Sequence, residues 1–269
     1  MRILDQDTDK GDGLCNEDRA GAAGGLAWIV DGATSLSDST ALPASTDAEW
    51  LADYVDRYFR ERFGAVSSAS VRDIFSDLAA AIGRSLDELG MSGDVIPPVC
   101  SCGLAVRRDG KLELALVGDV SLYVVEQDAL LEDPSFRQRE AVATRGRPTV
   151  GGDGGLSADS RRSIAGRRRK YITGGLGSYV LSRNPGVREG VRTMTLDARD
   201  TVTVLLATDG FARLVDAYRL FDSWQELAAS VARSGISQHI KMLRVHEENT
   251  RSSGHYKARD DACALLLEI

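Results

Sequence analysis

Carboxylates at the ends of apolar runs are the residues of this sequence best suited to chemistry. Leu26-Ala27-Trp28-Ile29-Val30 runs directly into Asp31-Gly32, and the β-branched stretch from Thr201 to Thr208 runs into Asp209-Gly210. The end of the chain inverts the order, with Arg259-Asp260-Asp261 preceding Ala262-Cys263-Ala264-Leu265-Leu266-Leu267. Apolar runs bounded in this way read as strands buried on both faces, so each acid sits where a strand enters or leaves the core. Three such ends can meet at one sheet edge. Carboxylates gathered there repel one another and hold protons more tightly unless a cation joins them, and donors that are all oxygen favour magnesium, manganese or calcium. Asp-Gly is also ordinary turn chemistry. The chain has five such dipeptides, at Asp12, Asp31, Asp109, Asp153 and Asp209, and only those at Asp31 and Asp209 directly follow long apolar runs.

Taken in order, Asn16-Glu17-Asp18, Ile29-Val30-Asp31-Gly32, Leu116-Val117-Gly118-Asp119, Ala207-Thr208-Asp209-Gly210 and Arg259-Asp260-Asp261 resemble the acidic motifs of the metal-dependent protein phosphatase 2C family. The resemblance covers nearly the whole chain. It implies an α+β fold, a four-layer α-β-β-α sandwich of two antiparallel sheets flanked by helices, formed by residues 1–269 as one catalytic domain. The implied activity is hydrolysis of phosphoserine and phosphothreonine in proteins by a metal-activated water, with two Mn2+ or Mg2+ ions and room for a third. Carried onto this chain, Asp31 bridges the ions, Asp209 and Asp260 complete one, and Glu17 with the Gly32 carbonyl serves the other. Asp119 with Asp209 holds the weaker third ion, and Asp18 orients the attacking water, so Asp18 and Asp31 take the catalytic roles.

The chain departs from the family pattern at three places. Gly13 stands where many members carry a phosphate-gripping arginine, Ala33 where some carry a histidine, and Asp261 where an asparagine is usual, a change that adds charge and leaves open whether Asp260 or Asp261 is the metal ligand. Arg19 or an arginine of the flap region is a candidate to replace the missing grip. Two further function classes stay open: a phosphatase of small phosphorylated metabolites, and a catalytically weak phosphatase-like binding domain.

Helices must support these strand ends. Trp50, Leu51, Tyr54, Val55, Tyr58, Phe59 and Phe63 form one helical stripe behind Thr46-Asp47, and Val71, Ile74, Leu78, Ile82, Leu86 and Leu89 form another behind Ser70. The spacing predicts two helices lying together on one sheet. Asp109-Gly110 predicts a hairpin between strands Cys100–Val106 and Lys111–Val117, with Ser121–Glu126 continuing as an antiparallel meander. Residues 211–248 predict two or three helices over the second sheet. Between these regions, residues 127–170 lose periodicity and predict a long flap-like loop excursion. Its end is basic in six of ten positions, 161–170, so Arg161, Arg162, Arg167, Arg168 and Arg169 are candidates to bind an anionic phosphopeptide by electrostatic attraction.

A formal net charge of −7 argues against a general nucleic-acid binder, and no apolar run approaches the roughly 18 residues of a membrane span. The polar start of the chain lacks the pattern of a secretory signal, which predicts a cytoplasmic protein. Cys15, Cys100, Cys102 and Cys263 lack zinc-ligand spacing, and a chain of this size needs no disulfide staple. His239, His246 and His255 stand in polar surroundings and predict solvated surface histidines. The expected partners are a phosphorylated protein substrate and a cognate Ser/Thr kinase.

Overall fold

The computed structural model describes residues 1–33, 36, 40–66, 69–91, 95–144, 158–250 and 259–269. Among the described residues, ten strands form two antiparallel sheets. One contains β2 (Asp18–Ala23), β3 (Leu26–Gly32), β4 (Cys100–Arg108), β5 (Lys111–Val117) and β8 (Arg192–Asp197), in the order β2-β3-β4-β5-β8. The other contains β1 (Arg2–Asp9), β6 (Ser121–Val124), β7 (Ala129–Leu131), β9 (Thr203–Ala207) and β10 (Ala262–Glu268), in the order β1-β10-β9-β6-β7.

The period-2 alternation of the central strands explains why their sequences are apolar throughout. Ala27, Ile29, Leu114 and Leu116 of the first sheet meet Leu122, Val204, Leu206, Cys263 and Leu265 of the second in a core between the sheets. The intervening residues Trp28, Val30, Leu104 and Val106 face outward, under α1 (Asp47–Val66) and α2 (Val71–Glu88). On the far side, Leu205, Ala207, Ala264 and Leu266 pack under α5 (Asp209–Asp216), α6 (Trp224–Ser234) and α7 (Ile236–Asn249). The result is the α-β-β-α layering expected from the sequence.

Both predicted helices on the first sheet start where their caps stand. Thr46 Oγ1 accepts from the Glu49 amide at 3.0 Å, and Ser70 Oγ accepts from the Asp73 amide at 3.2 Å. Leu89 falls outside the second stripe and is exposed. The Asp109-Gly110 hairpin is present, with φ of 51° and 70°, the left-handed pair a two-residue turn requires.

Three expectations need correction. The chain does not continue as a meander after β5; Gly118-Asp119 carries it across to the other sheet, where β6 pairs with β9 and β7. Residues 127–170 are not one loop: they contain β7, α3 (Pro134–Thr144) and α4 (Ala158–Ile172), while 145–157 lie outside the described residues. The apolar stripe that marks a packed helix is absent from α4 because most of its surface is polar; its alanine, arginine and lysine content supports a helix without one. Strands β1 and β8 form sheet edges, and their mixed polar sequences carry no continuous apolar run. His239 is buried, with Nδ1 2.7 Å from the Gly235 carbonyl and Nε2 2.9 Å from Ser230 Oγ, whereas His246 is half-buried and His255 lies outside the described residues. All four cysteines are free.

Candidate active site

The acidic residues meet at one end of the core between the sheets. Asp18 on β2 and Ser101 on β4 flank Asp31 on β3 in register, Asp18 to Asp31 to Ser101, and strand alternation directs all three toward the second sheet. From that sheet, α5 begins at Asp209 immediately after β9, and Asp260-Asp261 leads into β10.

Hydrogen bonds tie the two sheets together at this point. The Asp209 amide donates to Asp31 Oδ2 at 3.3 Å, the Thr208 hydroxyl donates to Asp18 Oδ2 at 2.8 Å, and the Glu17 amide donates to Asp261 Oδ2 at 2.6 Å. Thr208 Oγ1 also accepts from the Cys263 amide at 2.9 Å, which fixes its orientation. Glu17 is held by the Thr46 hydroxyl, which donates to its Oε1 at 2.7 Å. Asp119, on the crossover between sheets, accepts from Ser101 Oγ at 2.5 Å. A Cβ at Gly118, where φ is +85°, would lie 2.0 Å from that Ser101 oxygen, so only glycine permits the crossover to pass so close. Gly32 serves the same end: its amide donates to the Glu17 carbonyl at 3.1 Å, and a Cβ there would come within 2.6 Å of that oxygen. The close approach at Gly32 is thus made by the chain itself.

Burial and mutual repulsion raise the proton affinity of the group. Burial first, then the charge of Asp261, holds Asp18 well above the ordinary carboxylate range, with the Thr208 hydroxyl partly offsetting them. Asp31 is raised in the same way by burial and by Asp18, Asp209 and Asp119. Burial and Asp209 push Asp119 up to about 7, and Asp209 is raised by burial and Asp260 against the opposing charges of Arg213 and Arg137. Arg137 on α3 reaches the Asp119 carbonyl at 3.1 Å and also contacts Ser121 and Asp216.

The donors that could hold a metal are all oxygen: Glu17, Asp31, Asp119, Asp209, Asp260 and the Gly32 carbonyl. Among the described residues, no three acidic, histidine or cysteine side chains are gathered as placed so that they could hold a metal ion; Asp31 Oδ2 is turned to the Asp209 amide, and Asp260 Oδ2 accepts from Arg213 at 2.7 Å. The donor set nevertheless fits a hard divalent cation, because desolvated carboxylates repel one another until a cation neutralises them. Asp18 Oδ1 is buried without a hydrogen-bond partner, an unmet acceptor beside Asp31.

A cleft of about 500 Å3 opens next to Ala33, one residue beyond Gly32, and none of the acidic residues of the site lines it. Ala33, Pro97 and Pro98 line one part, and Arg161, Arg162, Arg168 and Arg169 of α4 line another. Arg167 is not among the lining residues; it pairs with Glu140 at 3.3 Å. Arg19 does not face the site with a spare guanidinium either: Nε donates to Asp53 at 2.7 Å and Nη1 to the Asn16 and Asp18 carbonyls at 2.7 and 2.8 Å. Gly13 lies next to Asp261, whose Oδ1 would be 3.2 Å from a Cβ at position 13.

Sequence reasoning missed Ser101, Thr208, Thr46, Arg137 and Arg213. Thr208 and Ser101 were open to discovery by strand alternation, since each neighbours or pairs with a predicted acid. The two arginines carry no such signal, as their partners are distant in sequence.

The family model described as "Protein phosphatase 2C" matches residues 7–244. Among solved structures, the chain is similar to the serine/threonine phosphatase PstP/Ppp of Mycobacterium tuberculosis, at 16% identity and TM-score 0.56, covering 97% of this chain and 95% of that one. The catalytic domain of PstP in complex with two manganese ions matches at 15% identity and TM-score 0.59, covering 98% and 96%. Serine/threonine phosphatase Stp1 from Staphylococcus aureus matches at 15% identity and TM-score 0.58, covering 100% and 96%. Comparison with curated proteins found no match.

Proposed function

Because the chain belongs to the protein phosphatase 2C family, we propose that it hydrolyses phosphoserine and phosphothreonine in proteins, using two divalent ions at the acidic end of the sandwich. One observation carries this reading: carboxylates from both sheets converge, with Asp31, Asp18 and Asp209 joined across the core by the Asp209 amide and the Thr208 hydroxyl. In this reading Asp31, Asp209, Asp260, Glu17 and the Gly32 carbonyl hold Mn2+ or Mg2+, and Asp119 with Asp209 serves a weaker third position. Bound ions supply an acidified water and positive charge for the phosphoryl oxygens.

The chain's own groups do the rest. Thr208 holds Asp18 by one oxygen, which leaves Oδ1 to accept a proton from the attacking water. Ser101 holds Asp119, and Thr46 holds Glu17, so the donors are positioned before any ligand arrives. The α4 arginines that line the cleft attract the dianionic phosphoryl group and acidic residues beside it. The run of cations along one wall of the cleft, Arg161, Arg162, Arg168 and Arg169, suits an extended anionic substrate and is what supports a protein substrate in this reading. A cognate Ser/Thr kinase would supply the phosphorylated protein. Among the described residues, no helix is long and apolar enough to cross a membrane.

The test is manganese-dependent hydrolysis of p-nitrophenyl phosphate, followed by a panel of phosphopeptides and small phosphorylated metabolites. Turnover of phosphoserine and phosphothreonine peptides at higher kcat/KM than the metabolites is expected. Absence of metal-dependent hydrolysis refutes the enzymatic reading, and preference for metabolites refutes the substrate class.

A further inference from the structure

Asp260 is held from two sides by a ring of charge that the chemistry proposed above does not require. Arg213, one turn into α5 from Asp209, donates from Nη2 to Asp260 Oδ2 at 2.7 Å and from Nη1 to Glu247 Oε1 at 3.4 Å. The Glu247 side chain on α7 has no solvent exposure. Its other oxygen accepts from Arg244 Nη1 at 2.7 Å, and Arg244 Nη2 returns to the Asp260 carbonyl at 2.7 Å. Arg244 Nε also pairs with Asp9 at 2.7 Å at the end of β1, and the Tyr218 hydroxyl donates to Glu247 Oε1 at 3.3 Å. The ring therefore begins and ends on one residue. It fastens two helices and the end of an edge strand to the segment that enters β10.

Resting on the assignment of Asp260 to a divalent cation, we propose that Arg213 is a tethered counter-cation. It keeps the Asp260 carboxylate positioned and partly neutralised, and the incoming ion must share or displace it at Oδ2. Two physical arguments lead here. A guanidinium at hydrogen-bond distance from a shielded carboxylate interacts far more strongly than an exposed pair, and Arg213 is itself only 14% exposed. A fixed positive charge so near a cation position also repels the cation, which lowers its affinity. Arg213 thus acts through Asp260 and touches no substrate; it is a positioning residue that sets how tightly one ion is held.

The experiment is Mn2+ titration of the full chain by calorimetry, paired with thermal unfolding of the metal-free protein. Arg213→Met should tighten Mn2+ binding about tenfold, a change equivalent to one logarithmic step in affinity, while lowering the metal-free Tm. Arg213→Lys, which keeps the charge, should bind Mn2+ within about threefold of wild type on the same scale. Removing Arg213 alone leaves Glu247 with fewer partners, a source of instability in a buried network. The double variant Arg213→Met/Glu247→Gln removes one charge of each sign and should also bind Mn2+ more tightly than wild type. Equal or weaker binding in the double variant overturns the inference, as does a gain in Arg213→Lys equal to that in Arg213→Met. Wild-type protein that takes up no Mn2+ would instead refute the functional reading, and this inference with it.

Discussion

Asp119→Asn offers a direct measure of the electrostatic strain in the acidic site. Burial and Asp209 raise this carboxylate to about 7, against about 3.9 in an unfolded chain. A carboxylate whose folded pKa is raised favours the folded state while protonated; that contribution is complete below about pH 4 and is lost as pH rises through about 7. Between pH 5 and pH 7 the folded protein retains the proton and the unfolded chain does not. Two units at 1.36 kcal/mol each give a stability loss of about 3 kcal/mol from this group, or about 5 °C in Tm for a chain of this size. Asparagine cannot titrate, keeps the shape, and still offers an oxygen to the Ser101 hydroxyl. Metal-free wild type should therefore lose about 5 °C more than Asp119→Asn between pH 5 and pH 8, measured by thermal unfolding in the presence of a chelator. Saturating Mn2+ should remove most of the difference, because binding to the folded state offsets the repulsion. Parallel pH profiles for the two proteins would refute the reasoning.

Asp31→Asn and Asp209→Asn should each reduce manganese-dependent turnover by at least about a hundredfold, as expected for loss of a group that acts on the transition state, with no fall in the metal-free Tm because each removes a repelling charge; turnover near wild type would exclude them from the mechanism. Replacing Arg161, Arg162, Arg168 and Arg169 together by glutamine should raise KM for acidic phosphopeptides about tenfold and KM for p-nitrophenyl phosphate, which offers only its phosphoryl group, by about threefold at most, with wild-type peptide turnover falling as salt increases. Thr46→Val removes both the helix cap and the hydroxyl that holds Glu17, and should cost about 1–2 kcal/mol in urea unfolding, with Thr46→Ser restoring most of it. Gly13→Arg should leave KM for p-nitrophenyl phosphate within about twofold, because Asp261 Oδ1 beside position 13 competes for the guanidinium donors; a fall of about threefold or more would show that residue 13 still addresses the phosphoryl group.

The parts legible in the sequence are those where one local pattern has one physical outcome. Strands β3, β9 and β10 are buried on both faces, so their apolar runs and the acids bounding them could be read directly. The stripes and caps of α1 and α2 were equally plain. Sheet membership was not, because whether Gly118-Asp119 turns back or crosses over depends on the space beside Ser101, a residue of a different strand. Helix α4 escaped notice because a helix with little apolar surface has no periodicity to detect. His239 looked exposed because its neighbours Ser237, Gln238 and Lys241 are polar, and because the Gly235 carbonyl and Ser230 hydroxyl that satisfy its imidazole leave no mark in the sequence. In the site, the acids were found by type, whereas the groups that hold them, Thr208, Ser101 and Arg213, are ordinary residues made significant only by contact.

The departures at Gly13 and Asp261 are best understood together. A Cβ at position 13 would lie 3.2 Å from Asp261 Oδ1 and 3.0 Å from the Cys15 carbonyl, so the space beside residue 13 is bounded by a carboxylate and by backbone. Asp261 uses its other oxygen to accept from the Glu17 amide at 2.6 Å, a contact an asparagine oxygen could also make but without added charge. That extra charge lies next to Asp18 and raises its proton affinity further. An arginine at position 13 would therefore stand where a carboxylate competes with phosphate for its donors. The α4 arginines occupy the opposite situation: they line the cleft beside Ala33, beyond the acidic cluster. Attraction for phosphate has on this account moved away from the strand ends, which are dense in negative charge, to a helix whose cations can meet the substrate before it reaches them. On the proposed function, capture is separated from chemistry, and salt sensitivity should be a property of peptide binding while metal affinity should follow the buried contacts of Asp18, Asp31 and Asp260.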